Sequence, residues 1–303
     1  MSRVYYISTM KKFTKVHIIY NPKSTGDSKT MAHDLQKQLR RDLRNIQVVC
    51  VPTKYAGHAR EIAQKIAKNE EYPLIVSSSG DGGYNEVVNG VMDAGINTAV
   101  CAVLPAGNAN DHSRTMQKHP LAEQIIKGKV KQIDLIKITI INADKEKVVR
   151  YAHSYAGLGL TPVIATELNK HSLNAFNEIV LALKTFNKFK PFEITHRNKT
   201  LCLDSLLFGN INQMAKVLTL APENHPDDGK FEVITFLSHN KRTLIKRLVK
   251  AAVSNLNTTR KQKKYTCTIN KSMPMQMDGE VIKLRAGSKL VVESAHKALN
   301  TII

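Results

Sequence analysis

No stretch of this 303-residue sequence reaches about 18 consecutive apolar residues, the length a helix needs to cross a bilayer. A helical membrane span is therefore excluded. The first 14 residues carry a few basic side chains but no long apolar run with a small-residue cleavage site, and no export signal is expected there. Cysteine is scarce: Cys50, Cys101, Cys202 and Cys267 have neither metal-type spacing nor the density of a disulfide framework, which points to a reduced, cytoplasmic setting. There is no internal repeat, no low-complexity tract and no recognised nucleic-acid-binding motif, so nucleic acid is not the expected partner. Acidic residues are few, 25 against 45 basic ones, for a formal charge of +20. That balance calls for an anionic partner, and sign alone leaves nucleic acid, an acidic membrane surface and a phosphorylated substrate open.

What the sequence does contain is organised around residues 74–90. An apolar run, Leu74-Ile75-Val76, leads through three serines into Gly80-Asp81-Gly82-Gly83, and a helical spacing follows at Tyr84, Val87, Val88 and Val91. This reads as a strand, a tight turn and a helix start. Glycines there would let the backbone adopt positive φ and let a ligand approach main-chain N–H groups at the positive end of the helix. Phosphate is the natural guest.

Around this stretch, strands and helices alternate. Residues 16–20 form a strand ending in Asn21-Pro22-Lys23-Ser24-Thr25-Gly26, before a helical pattern at Met31, Leu35, Leu39 and Leu43; residues 46–51 are a second strand, with a helix through Ala59, Ile62, Ala63 and Ile66; residues 99–104 are a strand before the loop 105–111. Such alternation argues for a parallel sheet flanked by helices. Ligands sit beyond the carboxyl ends of such strands, so the loops 21–26, 79–83 and 105–111 should converge on one rim.

Beyond Gly128 the pattern becomes strand-rich. Strands are expected at 131–142, 147–155, 192–195, 201–207, 217–220, 231–236, 265–269 and 281–284, with helices at 173–188 and 241–256. We read two domains on the usual size scale: an α/β nucleotide-binding domain at 14–130 and a largely antiparallel, β-sandwich-like domain at 131–289, with the tail 290–303 packing back on the first.

The glycine turn is not a P-loop, because the Gly-Lys-Ser/Thr ending is absent, and it lacks the Gly-x-Gly-x-x-Gly spacing of a dinucleotide fold. The ordered set Asn21-Pro22-Lys23-Ser24, Thr53 with Gly57-His58-Ala59, Gly80-Asp81-Gly82 with Asn85-Glu86 and Asn89-Gly90, then Pro105, Gly107 and Asn110-Asp111, resembles the diacylglycerol kinase catalytic family, which includes bacterial lipid kinases and sphingosine kinases. Gly209-Asn210, Pro222, Asp228-Gly229 and Met277-Asp278-Gly279-Glu280 extend the likeness over nearly the whole chain.

The resemblance implies an ATP-dependent kinase acting on a lipid hydroxyl, most simply diacylglycerol, with ATP and Mg²⁺ held between the two domains. By the family match, nucleotide binding falls to Asn21, Pro22, Lys23, Ser24, Thr25, Thr53, Gly80, Asp81, Gly82, Gly83, Asn85, Glu86, Gly107 and Asn108. Asp81 would stand near the phosphates with Mg²⁺, Glu280 would be the general base and Asp278 would lie beside it. A carboxylate is a weak base, so burial or a neighbouring carboxylate should raise the pKa of Glu280. The family's structural Mg²⁺ site would fall at Asp228, with backbone oxygens of His225 and Lys230. Both Asp278-Gly279 and Asp228-Gly229 also read as plain turns.

The chain departs from the family's usual pattern. Gly-Gly-Asp-Gly-Thr becomes Ser79-Gly80-Asp81-Gly82-Gly83, Asn108 replaces a threonine, and Thr161 stands where aspartate is common. An NAD kinase-like enzyme and a catalytically degenerate protein binding nucleotide or acidic lipid remain alternatives. Basic segments, Lys184 to Lys199 and Lys241 to Lys264, read as a solvated face or as attraction to an anionic membrane, which would make the protein peripheral; a homodimer is also open.

Overall fold

The computed structural model describes residues 13–24, 26–108, 110–160, 190–211, 213–214, 218–219, 225–238 and 260–303. The helices expected at 173–188 and 241–256, together with Thr25 and Thr161, lie outside them. The first part alternates as its apolar spacing requires: β1 (Lys15–Tyr20), α1 (Ser28–Asp42), β2 (Gln47–Pro52), α2 (His58–Asn69), β3 (Leu74–Ser79), α3 (Asp81–Ala94) and β4 (Val100–Pro105). The four strands are parallel in the order β2-β1-β3-β4. Leu74, Ile75 and Val76 are buried on both faces of the sheet, as a central parallel strand demands. On one side they meet Ala32, Leu35 and Leu39 of α1; on the other, Ala63, Val87 and Val88 of α2 and α3. Each such aliphatic side chain contributes about 1.5–3 kcal/mol on burial.

Two short helices, α4 (Asp111–Met116) and α5 (Leu121–Lys127), were not read from the sequence. They precede the antiparallel part: β5 (Lys131–Ile141), β6 (Lys147–Ala152), β7 (Tyr155–Gly159), β8 (Phe192–His196), β9 (Lys199–Gly209), β10 (Gln213–Met214), β11 (Leu218–Thr219), β12 (Phe231–Leu237), β13 (Arg260–Gln262), β14 (Lys264–Ile269), β15 (Met273–Met277), β16 (Glu280–Leu284) and β17 (Lys289–Thr301). The tail is one long strand that pairs antiparallel with β5 and β14 and then, at Asn300 and Thr301, parallel with β4. It thereby joins both parts into one sheet, and Ile302 enters the core beside Val100 and Ala102.

The segment expected as one strand at 147–155 is broken into β6 and β7. The cause is chemical: the N–H groups of His153, Ser154 and Tyr155 all turn onto the carboxylate of Asp278, at 2.6, 3.1 and 2.8 Å. An N–H spent in that way is lost to the ladder.

Candidate active site

The three loops meet. The Ser28 hydroxyl donates to Ser78 O, the Ser78 hydroxyl donates to Ser28 O at 2.8 Å, and Ala106 N donates to Ser79 O at 3.0 Å. Contact is so close that a Cβ on Gly107 would stand 2.4 Å from Gly80 Cα, and one on Gly26 would stand 2.4 Å from Ala106 O. The glycines are therefore needed for approach rather than for positive φ. Gly80 is extended at φ −83°, and Gly82 and Gly83 already belong to the first turn of α3, so the tight positive-φ turn expected from sequence is not formed.

Between these loops opens a cavity of about 520 Å³. Asn21, Lys23, Ser24, Thr53, Gly80, Gly83, Glu86, Gly107 and Asn108 line it, as do Tyr20, Ser28, Lys54, Tyr55, Ser77 and Ser79. Pro22, Asp81, Gly82 and Asn85 are not part of its wall. The serines at the end of β3 were the missed signal: polar residues closing an otherwise apolar buried strand have to face something polar.

Helix N-termini crowd this rim and are treated differently. Glu86 reaches from α3 to accept from Gly57 N at 3.0 Å and Ala59 N at 3.2 Å, capping α2. Asp81 accepts from Asp111 N at 2.9 Å and His112 N at 3.1 Å, capping α4. Among the described residues no side chain caps the start of α3, behind Gly80. An anion in the cavity is the complementary partner for it.

The antiparallel part closes over this helix start. Met277 and Glu280 pair across a two-residue turn in which Asp278 and Gly279 take φ of 45° and 94°. That conformation suits the Asp-Gly pair. The turn packs on α3 so tightly that a Cβ on Gly279 would lie 3.4 Å from Gly82 N. Asp278 is wholly buried; besides its three backbone donors it accepts from Asn85 Nδ2 at 2.9 Å. Burial pushes its carboxyl up to about 7 against the pull of those donors.

Asn85 and Asn89 extend the clamp by donating to Tyr151 O, and Tyr151 N donates to Asn89 Oδ1, each at 2.9 Å. Gly90 faces the other way, where a Cβ would strike Arg60 O, so it serves the crossing of α2 and α3. Under the turn lies a buried polar cluster. His153 Nδ1 is 2.8 Å from Ser154 Oγ, and its Nε2 is 3.3 Å from Asp81 O and 3.4 Å from Asp278 Oδ2. Burial lowers the pKa of His153 to about 3 and holds His112 neutral as well.

Glu280 differs from all of these: no hydrogen bond holds its carboxylate among the described residues. Burial, with Glu86 as its first charged neighbour, raises its pKa to about 7, while Arg150 and Arg60 pull the other way. Asp81 is raised to about 7 by burial and by Asp111. At the distant turn, Asp228 accepts from Lys230 N at 2.9 Å and from Lys261 Nζ at 2.8 Å, and its N–H donates to His225 O at 3.3 Å.

Residues 15–138 match the diacylglycerol kinase catalytic domain. A protein of Staphylococcus epidermidis named "Putative lipid kinase" is 27% identical over 238 residues, covering 72% of this chain and 74% of that protein. A diacylglycerol kinase of Bacillus subtilis is 24% identical over 286 residues, covering 88% of this chain and 89% of that one. The crystal structure of a diacylglycerol kinase from Bacillus anthracis superposes with a TM-score of 0.71 over 96% of this chain and 97% of its own, at 23% identity, and shows the shared fold.

Proposed function

We propose that this chain, whose residues 15–138 match the diacylglycerol kinase catalytic domain, is a member of that family and transfers the γ-phosphate of ATP to the hydroxyl of a lipid such as diacylglycerol. One observation carries the reading: the 278–280 turn docks on the uncapped start of α3 and brings a carboxyl with a pKa of about 7 beside Glu86, a wall of the cavity. An anion-binding helix end and a proton acceptor are what phosphoryl transfer to an alcohol requires.

The nucleotide phosphates would face the N–H groups of Gly80 to Gly83, with Asn21, Lys23, Ser24, Thr53, Gly107 and Asn108 on the remaining wall. Glu280 takes the proton of the acceptor hydroxyl as its oxygen bonds to the γ-phosphorus and the bond to the β-phosphate oxygen breaks, releasing ADP. Asp278 acts as a positioning residue, since its own oxygens are occupied by four donors.

The donor set suits Mg²⁺ arriving with its nucleotide. Among the described residues no three His, Cys, Asp or Glu side chains cluster as ligands, and one or two carboxylates plus substrate phosphates are the usual shell of this ion. Asp81 opens α3 but lies outside the cavity wall with its two oxygens on Asp111 N and His112 N, so it would act on the ion from behind that wall; when bound, the ion neutralises charge on the transferring phosphoryl. With the division at 14–130 and 131–289, the lipid would take the strand-rich side, and the positive charge of the chain favours an anionic bilayer surface. No helix among the described residues is long and apolar enough to cross a membrane.

Labelled ATP, Mg²⁺ and mixed micelles carrying diacylglycerol, monoacylglycerol, a long-chain base, ceramide or NAD test the reading. Label is expected in a lipid product. Transfer to NAD alone would replace the lipid acceptor with a nucleotide one.

A further inference from the structure

Ser79 ends β3, and Gly83 lies four residues on, in the first turn of α3. A Cβ on Gly83 would stand 2.6 Å from both Cβ and Oγ of Ser79. Real side-chain carbons do not approach so closely, so positions 79 and 83 have room for one side chain between them. Both residues line the cavity. In the pattern this chain resembles, that side chain is a threonine at 83 over a glycine at 79; here the order is reversed.

The hydroxyl now at position 79 has two partners. Ser79 Oγ donates to Gly80 O at 3.0 Å, and Ser77 Oγ lies 2.7 Å from Ser79 Oγ. Both contacts are made at once only when the proton of Ser79 goes to Gly80 O and the proton of Ser77 spans the short contact. Both protons stay within the protein, and lone pairs are what the Ser77–Ser79 pair has left to offer.

We propose that Ser79 and Gly83 form a reciprocal exchange: the one hydroxyl that these two positions share has moved from helix to strand, where with Ser77 it presents hydrogen-bond acceptors to the nucleoside part of the ligand. The group it recognises is a donor, a ribose hydroxyl or the exocyclic amine of a base, and not a phosphate oxygen. This ligand assignment rests on the ATP reading above, while the steric exchange does not.

Two experiments on the full chain separate them. The first is melting without nucleotide. Gly83→Thr should lower Tm by roughly 3 °C or more through overpacking, or prevent folding. The same change in Ser79→Gly protein should raise Tm, since threonine is a better helix residue than glycine once the clash is gone. Gly83→Thr that leaves Tm unchanged, or that lowers it equally in both backgrounds, overturns the exchange; Gly83→Ala provides the same comparison if the threonine variant is not recovered.

The second is equilibrium binding of ATP, 2′-deoxy-ATP, 3′-deoxy-ATP, the triphosphate of purine riboside and inorganic tripolyphosphate to wild type and Ser79→Ala. The variant should lose about 5-fold in ATP affinity, one hydrogen bond's worth. It should lose nothing for tripolyphosphate, nor for the one analogue that lacks the recognised donor. An equal loss for all five ligands, or no loss for ATP, overturns the acceptor assignment. Wild type that binds none of the nucleotides overturns the ligand assignment together with the ATP reading, and the melting comparison still decides the exchange.

Discussion

The strand-to-helix junction at 79–83 and the hairpin tip at 278–280 touch across the same cleft, and they are built by opposite means. At the junction, side chains are withdrawn: glycines let Gly80 pass over Gly107, and among the described residues the start of α3 is left without a side-chain cap. At the tip, side-chain chemistry is concentrated. Asp278 gathers four donors in a fully buried pocket, and two residues later Glu280 stands with no hydrogen bond among the described residues. One side offers backbone partial charge to an anion, and the other offers one tunable carboxyl on a rigid mount. Only together do they suit transfer of a phosphoryl group to a hydroxyl.

The sharpest way to break that contrast is to neutralise the tip. Glu280→Gln should lower kcat by about 10²–10⁴-fold, the usual span of general base catalysis, with ATP affinity retained. Steady-state kinetics beside nucleotide binding would show it, and near-normal turnover would remove Glu280 from the chemistry. Asp278→Asn should act on the mount instead. An amide at this site turns an NH₂ toward groups that themselves donate, so we expect a loss of about 3 kcal/mol or more in urea unfolding. A kinetic defect in Asp278→Asn without loss of stability would show that Asp278 is more than a support.

Titration sharpens the same contrast. Glu280 is a base only when ionised, so turnover should rise with pH through about 7 and flatten above it. Stability should move the other way. The folded state raises the pKa of Glu280 from 4.5 to about 7, so between those values it holds a proton that the unfolded chain has released. The resulting stabilisation is complete below the unfolded value and is lost as pH rises through the folded one. The shifts of Asp81 and Asp278 have the same sign. His112 and His153, whose lowered pKa values give the opposite slope below about 6.5, are common to both proteins, so from pH 5 to pH 8 the urea midpoint of wild type should lose ground relative to that of Glu280→Gln, whose residue 280 cannot titrate.

How much of this was legible in the sequence follows the range of the interactions. Strands β1 to β4 and helices α1 to α3 were readable because their apolar periodicity is local, and the Asp-Gly hairpin was readable because two adjacent residues determine it. Motif likeness picked out loops that meet at the cavity but did not distinguish its wall from the scaffold behind it. Asn85, within the expected nucleotide set, is spent on Tyr151 and Asp278, and Gly90 serves a helix crossing. The break at His153-Ser154 was unreadable, since its cause lies more than 120 residues away in Asp278. The short helices α4 and α5 lack the length for a periodic signal.

The smallest expected effect comes from the other Asp-Gly turn, and it tests whether burial or sequence separates the two. Asp228-Gly229 repeats the dipeptide of the hairpin tip, yet the carboxylate of Asp228 is partly open to water and meets the ammonium of Lys261 at 2.8 Å. A pair of that kind is worth about 0–1 kcal/mol, because water screens the charges and two side chains must be ordered to form it. Lys261→Ala should therefore shift the urea unfolding free energy by less than about 1 kcal/mol, and the shift should shrink further in 0.5 M salt as screening shortens to about 4 Å. If the loss instead matched that of Asp278→Asn, exposure would not be what makes this turn expendable, and residues 225–230 would have to be counted as a second rigid mount.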